Sequence, residues 1–188
     1  MPLGNEVARA EKALTEAWAG GSVALVSGGD VGIYAMASPA LELAAGDVEG
    51  VVVPGITAAQ AASSLLGSPL GHDHCSISLS DLLTPWEVIE GRVRAAAQGD
   101  FVVSLYNPRS KGRDWQLGKV CEILLEHRSL DTPVGIVKDA YREEQKVSLT
   151  DLGSLRPEDV DMLTLVVVGN SQTRLVAGRM VTPRGYLG

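Results

Sequence analysis

A chain of 188 residues with 45% apolar and 21% charged residues has the make-up of a packed globular protein. It is too apolar for a disordered segment, and no apolar run approaches the roughly 20 residues of a spanning helix. A net charge of −7 and a longest basic cluster of only Arg109, Lys111 and Arg113 beside Asp114 argue against nucleic acid as a partner.

In chain order, Asn5 is placed to cap a helix whose apolar side is Val7, Ala10, Leu14, Ala17 and Trp18, ending at Gly20-Gly21. Residues 22–27 read as a buried strand, and Ser27 to Gly32 as a Gly-rich loop. Ser38-Pro39 suits an N-cap and first helical position for a helix reaching Ala45. Residues 48–53 read as the next strand, turned by Pro54-Gly55 into an Ala-rich helix over Thr57 to Leu66. Residues 67–74 are the best candidate for a linker. A strand follows over Cys75 to Leu79. Thr84-Pro85-Trp86-Glu87 has the pattern of a capping box before a helix from Pro85 to Gln98. Phe101 to Tyr106 reads as strand, Asn107 to Arg113 as loop, and Asp114 as the cap of a helix to about Arg128. Further strands are expected over 133–138, 145–149 and 163–168.

Strands alternating with helices predict an α/β fold with mostly parallel or mixed sheets. The predicted division is an N-terminal α/β domain over 1–74, incomplete, and a C-terminal one over 75–188, with a cleft between them. Cys75 and Cys121 are far apart, with no Cys-x-x-Cys and no zinc-finger spacing, so reduced thiols and no metal site are expected. The N-terminus has no secretory pattern, which points to a cytoplasmic protein.

In α/β sheets ligands sit outside the carboxyl ends of strands, so the loops there carry the interest. SGGDVGIY at 27–34 offers glycines that let a ligand approach the backbone, although a Gly-rich turn with Asp30 as a local cap explains the same residues. It is neither G-x-G-x-x-G nor a P-loop. In VVVPGITAAQAA, Thr57 can cap the helix or bond a ligand. In FVVSLYNPRSKGRD, a Tyr and an Asn at a strand end precede three cations, which suits a flat ring with carboxylates or simply a solvated loop.

Together SGGDVGIYAM, PGITAAQAA, SLSDLLTPWEVIEGR, DFVVSLYNPRSKGR, TPVGIV, VDMLTLVVVGNSQTR and MVTPRGY resemble the tetrapyrrole (precorrin) methylases. The likeness is strongest to those acting on carbon 17 of precorrin-3B or on cobalt-factor III. It spans nearly the whole chain. It implies two α/β domains, a cytoplasmic homodimer, and S-adenosylmethionine as methyl donor, leaving S-adenosylhomocysteine. It also implies methylation with ring contraction in cobalamin biosynthesis.

Carried over, Gly28, Gly29 and Asp30 match the donor-binding loop, with Ile33 an apolar contact. Thr57 and Ala58 match the donor contacts of the second loop. Tyr106, Asn107 and Ala140 match further donor contacts. Family members begin with a strand and a Gly-Pro-Gly loop, and this chain is expected to start after both, which leaves the activity of the chain open. The missing strand would leave unpaired backbone on a neighbour.

Displacement of a methyl group by a ring carbon needs alignment and exclusion of water more than a nucleophilic side chain. Ring contraction needs proton transfer, for which Asp81, His72 and Asp73 are candidates; Asp81 can equally cap the next turn. Arg109, Lys111 and Arg113 are placed to pair with tetrapyrrole carboxylates. A sibling methylase acting at another carbon or on a cobalt-loaded ring, and a non-catalytic nucleotide-binding fragment, are the alternative readings.

Overall fold

The computed structural model describes residues 5–156 and 160–186; Met1 to Gly4, read as the lead into the first helix, lie outside them. The chain divides into two compact units, Met1–Ala58 and Ala59–Gly188.

The first unit contains two packed helices, α1 (Glu6–Trp18) and α2 (Ala37–Ala44). On α1 the buried positions are Ala10 and Leu14, one turn apart on one face. Val7 and Trp18, expected on the same apolar side, are more than half exposed. Asn5 occupies the N-cap and its carbonyl accepts the first helical bond from Arg9 at 3.0 Å, but its side chain makes no cap.

Helix α2 begins at Ala37 with Met36 at the N-cap, so Ser38 and Pro39 lie inside its first turn rather than at its start. Ala37 N bonds back to Val31 O at 2.9 Å, which fixes the earlier entry. The helix ends when Ala45 turns left-handed (φ 50°).

Neither expected strand of this unit forms. Residues 22–27 and 48–53 pair with no neighbour among the described residues. Val26, Val51 and Val53 are 84%, 83% and 70% exposed. A strand is a property of a pair, and an apolar β-branched run without a ladder partner stays irregular.

The second unit is built on a mixed five-stranded sheet in the order β2-β3-β6-β4-β5. Its strands are β2 (His74–Ser78), β3 (Val102–Tyr106), β4 (Pro133–Lys138), β5 (Lys146–Asp151) and β6 (Thr164–Val168). Only β2 and β3 run parallel; the β3–β6, β6–β4 and β4–β5 pairings are antiparallel.

The alternation of side chains divides the sheet's two faces. Val103, Leu105, Val134, Ile136, Val166 and Val168 pack against α4 (Trp86–Gln98) and α5 (Gln116–Leu125). Val102, Val137, Leu165 and Val167 pack against Ala59, Ala62 and Leu66 of α3 (Ala58–Leu66). With both faces covered, the central strands read as continuous apolar runs. Gly135 lets α3 pack closely here, because a Cβ there would lie 2.4 Å from Leu66 Cδ1 and that side chain would have to shift.

The stretch 67–74 is not an unstructured linker. Gly67–Ser68 forms β1, which pairs in parallel with β8 (Arg179–Val181), itself antiparallel to β7 (Arg174–Val176).

Two helix starts differ from expectation. Pro85, at φ −54° and ψ 144°, is itself the N-cap of α4, so Thr84 stands one residue too early to close the capping box. Trp115, not Asp114, occupies the N-cap of α5. Helix α5 ends at Leu125, short of Arg128, whose guanidinium turns inward to the carbonyls of Gly169 and Phe101.

Candidate active site

In the first unit the Gly-rich loop and the Pro54-Gly55 loop touch. Asp30 Oδ1 accepts the Gly32 amide at 2.8 Å, and its Oδ2 accepts the Gly55 amide at 2.9 Å. Donation from Gly55 first, and Gly32 second, holds the Asp30 carboxyl below the usual carboxylate range. Gly29 adopts a left-handed φ of 78°. A Cβ on Gly55 would stand 2.2 Å from Gly29 O, so only glycine allows the loops this approach.

Both loops border a hollow of about 590 Å³ within the unit, lined by Leu14, Val26, Gly29, Met36, Val53 and Gly55 among others. Ile33 is 43% exposed just beyond the loop. Thr57 is half-buried and Ala58 exposed, the latter opening α3. The residues present therefore fit a nucleoside donor in one respect: two loops stripped of Cβ atoms beside an apolar hollow.

In the second unit the carboxyl ends of β2 and β3 carry a hydrogen-bonded cluster. The Tyr106 hydroxyl accepts the Ala59 amide at 3.0 Å, serving as a cap on the first turn of α3. Asn107, left-handed at φ 51°, donates from Nδ2 to Ser78 Oγ at 3.0 Å. Arg113 is buried and donates from Nη1 to Leu79 O at 2.8 Å and to Asn107 O. Its Nε lies 3.7 Å from Asp81 Oδ1. Burial pulls the guanidinium's pKa down while Asp81 opposes the shift.

Gln116 Nε2 donates to Asp81 Oδ2 at 2.9 Å. Ser110 and Arg113 exchange backbone bonds at 3.0 and 3.1 Å, closing the 107–113 loop on itself. Lys111 at its tip is exposed and Arg109 half-buried. Ala140 and Tyr106 pack against the same buried cluster. The His72 side chain bonds only to its neighbour among the described residues, accepting the Asp73 amide at 2.8 Å, while the Asp73 carbonyl accepts the Val102 amide at 3.1 Å.

Within each unit the structure thus unites part of the expected set: Gly29, Asp30 and the Gly55 loop in one, Asp81, Asn107 and Arg113 in the other. Sequence reasoning missed Gln116, whose Oε1 is buried without a partner, and Ser78. A glutamine in the first turn of a helix carries no local signal of an inward role. Leu82 and Leu83, 86% and 98% exposed, flank Asp81 and were also passed over.

Among the described residues no helix is long and apolar enough to cross a membrane, and no group of three or more His, Cys, Asp or Glu is placed to hold a metal.

Residues 3–156 match the tetrapyrrole (corrin/porphyrin) methylases, a family that generally uses S-adenosylmethionine. A probable cobalt-factor III C(17)-methyltransferase of Salmonella typhimurium is 52% identical over 96% of this chain and 76% of its own length. A precorrin-3B C(17)-methyltransferase of a Sinorhizobium species is 44% identical over 97% of this chain and 76% of its own. The crystal structure of the methyltransferase CobJ superposes with a TM-score of 0.90 at 43% identity, covering 95% of this chain and 77% of that one. The mixed α/β architecture is that of these enzymes, and the chain belongs to the tetrapyrrole methylase family.

Proposed function

We propose that the chain is an S-adenosylmethionine-dependent methyltransferase that methylates carbon 17 of precorrin-3B, or of its cobalt-bearing counterpart cobalt-factor III, with ring contraction in cobalamin biosynthesis. The observation that carries this reading is 52% identity across 96% of the chain to a relative named for that carbon. Two glycine-lined loops joined through Asp30 beside an apolar hollow support it.

In the proposal Gly28, Gly29, Asp30, Ile33, Thr57 and Ala58 form the donor side of the first unit. In the second unit Tyr106, Asn107 and Ala140 are the proposed donor contacts. The proposal divides the chain at about residue 74 into an N-terminal and a C-terminal α/β domain.

The donor supplies a methyl group on a sulfonium, already an activated leaving arrangement. The protein's part is alignment and exclusion of water, which can lower a barrier by roughly 7–11 kcal/mol in well-oriented systems. Asp81, oriented by Gln116 and facing Arg113, is the candidate to move a proton during contraction. Arg109 and Lys111 are the candidates for substrate carboxylates. Arg113, engaged with Leu79 O and Asn107 O, serves that end chiefly by shaping the loop. A cytoplasmic homodimer without nucleic-acid or membrane partners completes the reading.

Two measurements test it. Calorimetry should detect S-adenosylhomocysteine binding to the purified protein, and incubation with donor and either tetrapyrrole should yield a product heavier by one methyl group with carbon 17 modified. Binding without turnover on either substrate would favour a nucleotide-binding module instead. Methylation at a different carbon would favour a sibling enzyme.

A further inference from the structure

We propose that Asp30 is a positioning residue: its carboxylate latches the Gly-rich loop to the Pro54-Gly55 loop and so pre-sets the main chain leading into Thr57 and Ala58. This rests on the donor-site reading above and assigns Asp30 a role through the protein's own backbone rather than through direct contact with the donor.

Three observations carry it. Each carboxylate oxygen is engaged by a different amide, Gly32 at 2.8 Å within the loop and Gly55 at 2.9 Å from a segment 25 residues away. Carboxylate-to-amide bonds are short and charge-assisted, stronger than neutral ones. The loops meet in van der Waals contact at the same place, since a Cβ on Gly55 would fall 2.2 Å from Gly29 O and 3.3 Å from Asp30 Cα. Finally, residues 50–54 make no backbone hydrogen bond to any other described residue, so the latch at Gly55 is the first polar tie on the chain entering α3. That tie lies two residues before Thr57.

An asparagine cannot reproduce the arrangement. Its oxygen can accept one amide, but its NH2 would face the other donor. Loosened loops would still reach the competent arrangement, only in a smaller fraction of molecules, and apparent affinity falls by that fraction.

Hydrogen exchange on ligand-free protein is the direct test. In Asp30→Asn, amides of 31–33 and 55–57 should exchange on the order of tenfold faster, with α1 and α2 unchanged. S-adenosylhomocysteine affinity should fall about tenfold in the same variant. In turnover the loss should appear in KM for the donor, with kcat reduced far less, whereas general destabilisation would lower the active fraction at constant KM. Asp30→Glu, which keeps a carboxylate, should recover part of both protection and affinity.

Unchanged exchange in Asp30→Asn, or faster exchange with intact affinity, overturns the proposal. If the wild-type protein binds no S-adenosylhomocysteine, the donor-site reading fails while the exchange contrast still decides the latch. Should Asp30→Asn unfold α1 and α2, the same two readouts on Asp30→Glu decide instead.

Discussion

Residues 48–53 and residues 164–168 are nearly the same kind of sequence, Val-rich runs that end at a turn, yet they have opposite fates. Val166, Val167 and Val168 are fully buried, laddered to β3 on one side and β4 on the other. Val51 and Val53 are largely exposed and unladdered among the described residues. What differs is the neighbourhood. β6 has two strands of matching length to satisfy its amides and two helical layers to cover its faces. The run at 48–53 has neither. The lesson is that β-propensity states a fitness for a pleated, half-covered surface, and the surface has to exist.

The contrast can be broken most directly by amide exchange. Amides of 165–168 and 134–137 should be protected by on the order of a thousandfold or more over those of 22–27 and 48–53, because the latter lack bonded partners. Comparable protection in both sets would mean that the first unit pairs its runs in solution.

Truncations give the next largest effect. Leu105→Ala, at a fully buried position of β3, should cost about 2–5 kcal/mol in urea unfolding. Val51→Ala should stay within about 0.5 kcal/mol. A costly Val51→Ala would show that this side chain is covered after all.

Cys121 on α5 reports the same packing chemically. Burial pushes its thiol up to about 11, so at pH 8 it should alkylate on the order of a hundredfold more slowly than an unhindered thiol. Denaturant well above the unfolding midpoint should abolish the difference. Fast alkylation of the folded protein would mean that the α5 face opens more readily than its packing implies.

The same contrast explains what could be read from the sequence. β4 falls on 133–138 as expected, because Pro133 and the following Asp139, left-handed at φ 48°, bracket a run apolar on both faces. The β7–β8 hairpin went unseen. Its turn, Ala177-Gly178, has both residues at positive φ (49° and 75°), the geometry of a primed turn. The usual signature of that turn is Asn-Gly, and Ala-Gly does not announce it.

At the site, the Gly-rich loop and Thr57 are legible in the sequence as positions open to a ligand. The bond from Gly55 to Asp30 was not, since it joins positions 25 apart with no periodic relation. Gln116 escaped for the same reason: its partner Asp81 lies 35 residues away.

The smallest effect separates the two units by their response to acid. The loops of the first unit are joined by a carboxylate, and the 107–113 loop of the second by Arg113, which stays protonated throughout. Because the Gly55 and Gly32 amides hold the Asp30 pKa down, the unfolded chain binds a proton here more readily than the folded one. The stabilisation is therefore present above the ordinary aspartate value of about 3.9 and lost as the pH falls through the lower folded value. The group is open to solvent, so the effect on global stability is small and best read locally. The Gly55 amide resonance should shift with a midpoint below about 3.9, and the shift should vanish in Asp30→Asn. Across the same range the two backbone bonds between Ser110 and Arg113 should persist, because neither backbone partner titrates. A midpoint at or above the ordinary value would mean that the carboxylate does not carry those amide bonds in solution, and the two loops would then be held by contact at Gly55 alone.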